Sequence, residues 1–236
     1  MKGKFLLLLL AACLGLSHQV RAQEEVQPVR IRAVLHDPLH MQADLFYPDP
    51  TGAILPLVFK PQDLSDPMFI LPVNGTLVFY DKAAIDPENP AASLAASVKL
   101  PANLKQALAV VLPAPEGAKP AYRILLIEDS EKTFPGGESR AVSLVNTNIV
   151  IQAGEHKVPV EPGKITRIPA VSQVDDFHMA QTNFFYHQEE TWVPFAERQL
   201  QYLKASRRLF IIHATLGALH PRVTTIVDTR ANNRQP

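Results

Sequence analysis

Asp175, Asp176 and His178, followed by His187, Glu189 and Glu190, gather carboxylates and imidazoles into one short stretch of the sequence. An acid, a base and an orienting carboxylate hydrolyse a substrate when they converge within hydrogen-bond reach of a nucleophile. Asp176, His178 and Glu190 are the candidates for that catalytic role, with Ser172, Thr182 and Thr191 as hydroxyls nearby in the chain. A solvated acidic loop has the same composition, and the chain lacks a Gly-x-Ser-x-Gly elbow, a His-Glu-x-x-His pair and a Walker-type glycine loop. Spacing alone therefore favours the loop over a secreted hydrolase.

A second group, His36-Asp37-Pro38-Leu39-His40, sets two imidazoles and a carboxylate side by side. Pro38 denies them the uninterrupted helical turn that would stack His36 over His40, so the segment reads as a polar strand connection before it reads as a metal site. No cofactor is expected.

The third group is aromatic. Phe177, Phe184, Phe185, Tyr186, Trp192, Phe195 and Tyr202 put seven of the chain's seventeen aromatic residues into 26 positions. Exposed rings stack on sugar faces or pack into protein pockets, and Trp and Tyr suit interfaces because each carries one polar atom. Tyr186, Trp192 and Phe184 are the expected partner-binding residues, since on an ideal strand they share one face, with Phe185 and Val193 on the other. The competing expectation is that these rings seal an open end of the core.

These residues need elements to position them, and proline sets the elements. Proline accounts for 21 of 236 residues, nearly twice its usual share of about 5%, and punctuates apolar runs every ten residues or so. It removes a backbone donor and fixes φ, which argues against long helices and suits the ends and edges of short strands. Strands are expected near Val29–Leu35, Gln42–Tyr47 and Ile54–Phe59, then over Met68–Val73 and Thr76–Tyr80 as arms of an Asn74-Gly75 hairpin. The same Asn74-Gly75-Thr76 matches a glycosylation acceptor, but the turn explains it.

Alternation over Leu94–Leu100 and the continuous apolar runs Ala107–Leu112 and Ile124–Ile127 predict further strands, the latter two covered on both faces. Arg140–Val145, Ile149–Ala153, Lys157–Val160 and Ile165–Ile168 read as a meander. Its turns, Phe134-Pro135-Gly136-Gly137 and Glu161-Pro162-Gly163-Lys164, each place proline second and glycine third, as type II turns do. Leu209–His213 and Val223–Asp228 form a last pair, and Pro194 to Leu203 fits a helix or a twisted strand. No sequence repeat of fixed period is evident.

The expected fold is therefore all-β: a β-sandwich, immunoglobulin-like or jelly-roll-like, either one large sandwich or two small packed ones. The expected organisation is a leader over 1–22, an N-terminal β region over 23–80, a loop or subdomain boundary over 81–93, the main sandwich over 94–230 and a frayed tail over 231–236.

The stretch from Leu94 to Ile168 resembles exported bacterial β-sandwich proteins in which a proline-glycine turn opens a meander and a second one closes it. Phe134-Pro135-Gly136-Gly137, Val145-Asn146 and Pro162-Gly163 carry the resemblance over about a third of the chain. No activity attaches to that group, so the resemblance implies no catalytic residues.

The start of the chain has the parts of a secretory signal: Lys2 and Lys4, an apolar stretch from Phe5 to Leu16, and Val20-Arg21-Ala22, which leaves small side chains at the positions a signal peptidase inspects. Export to the periplasm or the extracellular space is expected, with cleavage after Ala22. Leu10-Ala11-Ala12-Cys13 resembles a lipobox and offers the alternative of a lipid anchor on Cys13, the one cysteine of the chain. Without residues 1–22 the formal charge falls from zero to −3, because the leader holds three cations and no carboxylate. No basic excess points to nucleic acid, and the run Lys204, Arg207, Arg208 reads as a solvated face. The expected function is an exported, non-enzymatic binding or structural module of the cell envelope that recognises a protein or glycan partner.

Overall fold

The computed structural model describes residues 26–36, 43–215 and 217–229. The leader, Cys13, His40 and the tail lie outside the described residues. Sixteen strands dominate them, and the single helical element is the 3-10 turn Pro90–Ser93. Among the described residues, apolar runs of strand length, many of them ended by proline or glycine, favour strand over helix.

The first eight strands are β1 (Val29–Leu35), β2 (Leu45–Pro48), β3 (Ile54–Leu57), β4 (Met68–Ile70), β5 (Thr76–Tyr80), β6 (Leu94–Lys99), β7 (Gln106–Pro113) and β8 (Tyr122–Glu128). They form two four-stranded sheets, β4-β1-β7-β8 and β3-β2-β5-β6. Ile31, Ile70, Leu77, Phe79 and Ala109 fill the space between them. The next eight are β9 (Ser139–Ser143), β10 (Ile149–Ala153), β11 (His156–Val160), β12 (Ile165–Ile168), β13 (Met179–Gln188), β14 (Thr191–Gln201), β15 (Arg207–His213) and β16 (Arg222–Asp228). Their sheets are β12-β9-β15-β16 and β11-β10-β13-β14, closed over Ile149, Ile151, Phe184, Phe210 and Ile212.

The fold is therefore two small sandwiches, and they are built alike. Replacing β1 to β8 by β9 to β16 turns each sheet order of the first unit into a sheet order of the second. In both units the first strand runs parallel to the seventh, with Arg32 opposite Leu108 and Arg140 opposite Leu209. That register aligns Arg32-Ala33-Val34 with Arg140-Ala141-Val142, a correspondence too short to stand out as a sequence repeat.

A third apolar cluster joins the units. Val34, Leu108, Val110 and Ile127 of the first lie with Val142, Leu209, Ile211 and Ile226 of the second, so the same sheet face is used twice, as in a two-fold contact. The inner sheets are consequently covered on both sides, which is why every residue from Ala107 to Leu112 is buried.

Several expectations need correction. Residues 81–93 do not separate units: they connect β5 to β6 within one sheet, and the chain crosses between sandwiches at Asp129–Glu138. The proposed meander does not exist, because β9 and β12 pair in one sheet while β10 and β11 pair in the other. Asn74 and Gly75 do take positive φ, 50° and 72°, yet the arms part beyond one bridge, β4 joining β1 and β5 joining β6. Of the two readings open for the stretch after Pro194, helix or twisted strand, the strand holds.

The crossing segment is tight. Gly137, not Gly136, takes the positive φ of 87°, and a Cβ on Gly136 would stand 2.1 Å from the backbone oxygen of Lys204. Since that neighbour is main chain and cannot swing aside, Gly136→Ala is expected to cost about 1–3 kcal/mol or more, readable as a lowered urea midpoint at unchanged slope.

Candidate functional site

The outer sheet of the second unit carries the aromatic residues singled out in the sequence. β10 and β13 alternate in strict register: Ile149 faces Tyr186, Val150 faces Phe185, Ile151 faces Phe184 and Gln152 faces Asn183. Directly opposed residues share a sheet face, so Phe184 and Tyr186 turn inward with Ile149 and Ile151, and Phe185 turns out with Val150. Phe184 is fully buried, with Phe210 edge-on at 5.3 Å and Phe195 at 6.0 Å. Tyr186 is half-buried, and its hydroxyl donates to Oε1 of Gln188 at 2.7 Å.

Trp192 lies on the opposite face from the one expected. The two-residue turn Glu189-Glu190 sets Trp192 against His187, which shares its face with Phe185. A single strand would have kept Trp192 with Phe184 and Tyr186, but the chain reverses there. A bulge then makes Phe195 the extra residue of β14, so Phe185 faces Pro194 and Phe195 packs inward.

The outward face is a continuous apolar row. Pro159, Val150, Phe185 and Pro194 lie opposite one another across all four strands, with Pro159 and Pro194 exposed, Phe185 half-buried and Val150 buried between them, and Trp192 with His187 continues the row at the hairpin end. Trp192 is 45% exposed and meets the His187 ring edge-on at 5.0 Å. The hairpin is held in place: the His187 N–H donates to the Asn148 carbonyl at 3.0 Å, and the Thr147 hydroxyl donates to the His187 carbonyl at 2.7 Å.

The catalytic candidates do not converge. Asp176 and His178 occupy the turn before β13, which Asp175 holds by accepting from the N–H groups of Phe177 and Met179. Glu190 sits beyond the far end of the same ten-residue strand, roughly 30 Å away at 3.3 Å per residue. Phe177, 75% exposed, stays with Asp176 and is remote from Trp192. His178 and Ser172 line one cavity of about 640 Å³ beside Tyr202 and Leu203. The Ser172 hydroxyl, however, donates to Glu155 at 2.7 Å, and the backbone N–H groups of Ser172 and Gln173 donate to the same carboxylate. Desolvation would raise the Glu155 carboxyl, but these donors outweigh it and hold the group down at about 2, which marks a loop staple rather than a base.

Of the metal candidates, His36 meets His213 edge-on with ring centres 4.5 Å apart, and His40 is outside the described residues. Among the described residues no three His, Cys, Asp or Glu side chains gather in a way that would hold a metal ion. No helix there is long and apolar enough to cross a membrane.

The strongest electrostatic feature is one the sequence reading missed. Arg32 and Asp129 of the first unit and Arg207 and Asp228 of the second form a buried ring of ion pairs at the junction. Arg32 reaches Asp129 at 3.0 Å and Asp228 at 2.8 Å; Arg207 reaches Asp129 at 2.6 Å. Arg207 also donates to the Phe134 carbonyl at 2.7 Å, and its guanidinium lies 4.3 Å from the Phe134 ring centre. Burial alone would raise the Asp228 carboxyl; hydrogen bonds from Arg32 and Arg207 outweigh it and hold the group far below the usual carboxylate range. A cavity of about 240 Å³ opens beside Arg32 and Asp228.

Arg208, expected on a solvated face with Arg207, is buried as well and lies 4.6 Å over the Tyr202 ring. No family model matches this chain, and no curated protein matches it.

Proposed function

We propose that the protein is an exported, non-enzymatic binding module of the cell envelope, engaging its partner through the outer face of β10, β13 and β14. The observation that carries this reading is the exposed Trp192 at the end of an apolar row that crosses a whole sheet and leaves the core beneath it complete. Scattered exposed apolar residues are ordinary, whereas contiguous ones mark contact surfaces. The leader-like start of the sequence supports export. A hydrolase is the weaker reading, because Asp176 and His178 stand a strand's length from Glu190 and the Ser172 hydroxyl is committed to Glu155.

Incubating the purified mature protein with its native envelope fraction tests the proposal. Wild type is expected to retain envelope material, and Trp192→Ala to retain several-fold less while unfolding at the same temperature. Equal retention by the two proteins would remove the platform as the contact surface.

A further inference from the structure

The chemistry of this face narrows its partner. Beside the apolar row, the outward positions are filled by primary amides. Gln152 lies opposite Asn183, Gln181 opposite Gln199, and Gln201 closes the next position on β14. The Gln181 amide donates to Asn183 Oδ1 at 2.7 Å, which leaves the Asn183 N–H₂ group and the Gln181 oxygen turned to other partners. Full charges at the paired outward positions are Lys157 and Glu197, at opposite edges of the sheet, and Glu189 and Glu190 form the exposed turn beside Trp192.

An amide is both donor and acceptor, and so is a sugar hydroxyl. An outer face that sets amides beside rings and proline therefore matches a saccharide chain, whose C–H faces stack on rings while its hydroxyls pair with amides. The match to a protein partner is poorer: protein hot spots combine aromatic anchors with arginine, and the paired outward positions of this face hold no arginine. The match to an anionic polymer is poorer still, with Lys157 as the one full positive charge.

We infer that the outer face of β10, β13 and β14 is a binding platform for a neutral polysaccharide, with Trp192 and Phe185 stacking on sugar rings and Gln152, Asn183, Gln181 and Gln199 pairing with hydroxyls. The inference rests on the proposed platform and adds the class of its ligand.

Trp192 is the chain's single tryptophan, so its emission reports on the platform alone. The mature protein is titrated with gluco-, xylo-, manno- and chito-oligosaccharides of six units, and its migration is followed in gels containing the matching polysaccharides. At least one neutral series is expected to shift Trp192 emission saturably and to retard the protein. That affinity should be insensitive to salt, because no charge is engaged. Phe185→Ala and the Gln181→Ala/Gln199→Ala pair are each expected to weaken it about tenfold, and polygalacturonate should give neither signal.

Absence of both signals for every neutral series overturns the inference. If the envelope experiment then still shows retention that depends on Trp192 and is abolished by protease treatment of the envelope, the occupant is a protein and the binding-module reading stands. If that retention is absent too, both readings fall.

Discussion

Arg207→Ala is expected to lower the unfolding free energy by about 3–5 kcal/mol, the cost of removing one partner from a buried ion cluster. Arg207 is fully buried, as are Asp129 and Arg32, and Asp228 nearly so, so solvent replaces the missing cation poorly. Two carboxylates would share one buried guanidinium, that of Arg32, with Arg30 reaching Asp129 only at 3.7 Å from the rim. Arg167→Ala is the matched control. Arg167 pairs with Glu138 but is largely exposed, and Glu138 keeps Arg140 at 3.0 Å, so the loss there should be far smaller than for Arg207→Ala. Chemical denaturation of both variants checks the contrast, and a loss below about 1 kcal/mol for Arg207→Ala would mean that the cluster is wet. Restoring neutrality should recover part of the loss: Arg207→Met with Asp228→Asn is expected to cost less than the sum of the single changes.

The same cluster sets a pH dependence. Asp228 is held well below its unfolded value of about 4, so its contribution is complete above that pH and disappears as the medium is acidified through and below it. Wild type should therefore lose stability progressively below about pH 4, and Arg207→Ala, having lost one of the donors that depress Asp228, should show a shallower loss over the same window. Equal slopes would assign the acid sensitivity to other carboxylates.

Composition announced the architecture through proline, and it did so because a missing donor and a fixed φ act locally. β1 and β5 begin and end where the sequence placed them, and Gly163 takes its positive φ of 72° at the third turn position. Pairing is not a local property. Nothing in Met68–Tyr80 tells β4 to join one sheet and β5 the other, since that choice is made by Ile70 and Phe79 entering the core from opposite layers.

The duplication was hidden for a related reason. Two sandwiches with one strand order need only matching burial, and the inner-sheet positions are filled by Leu108, Val110 and Ile127 in one unit and Leu209, Ile211 and Ile226 in the other. Where the units do diverge, function of the junction decides: Arg140, aligned with Arg32, pairs with Glu138 and lies over Phe134 instead of entering the ring of ions. Arg207 and Arg208 misled because a charge run is ordinarily solvated, whereas here alternation sends Arg207 to the junction and Arg208 into the second core.

Phe184→Ala is expected to cost about 3–5 kcal/mol, and Trp192→Ala less than about 0.5 kcal/mol, although both rings belong to one aromatic cluster in the sequence. The difference follows from strand parity. Phe184 faces Ile151 in strict register and is enclosed by Phe195 and Phe210, so its removal leaves a cavity that the flanking strands cannot collapse. Trp192 comes after a reversal at Glu189-Glu190, where the opposed pairs run Gln188 to Thr191 and His187 to Trp192, and this places it on the outer face. Its ring touches His187 and solvent, so deleting it opens nothing. Thermal unfolding of the two variants separates the roles in one experiment. A large loss for Trp192→Ala would make it a structural ring and withdraw the platform, while a small loss for Phe184→Ala would mean that β13 sits one residue out of the register that sends Phe185 and Trp192 to the same side.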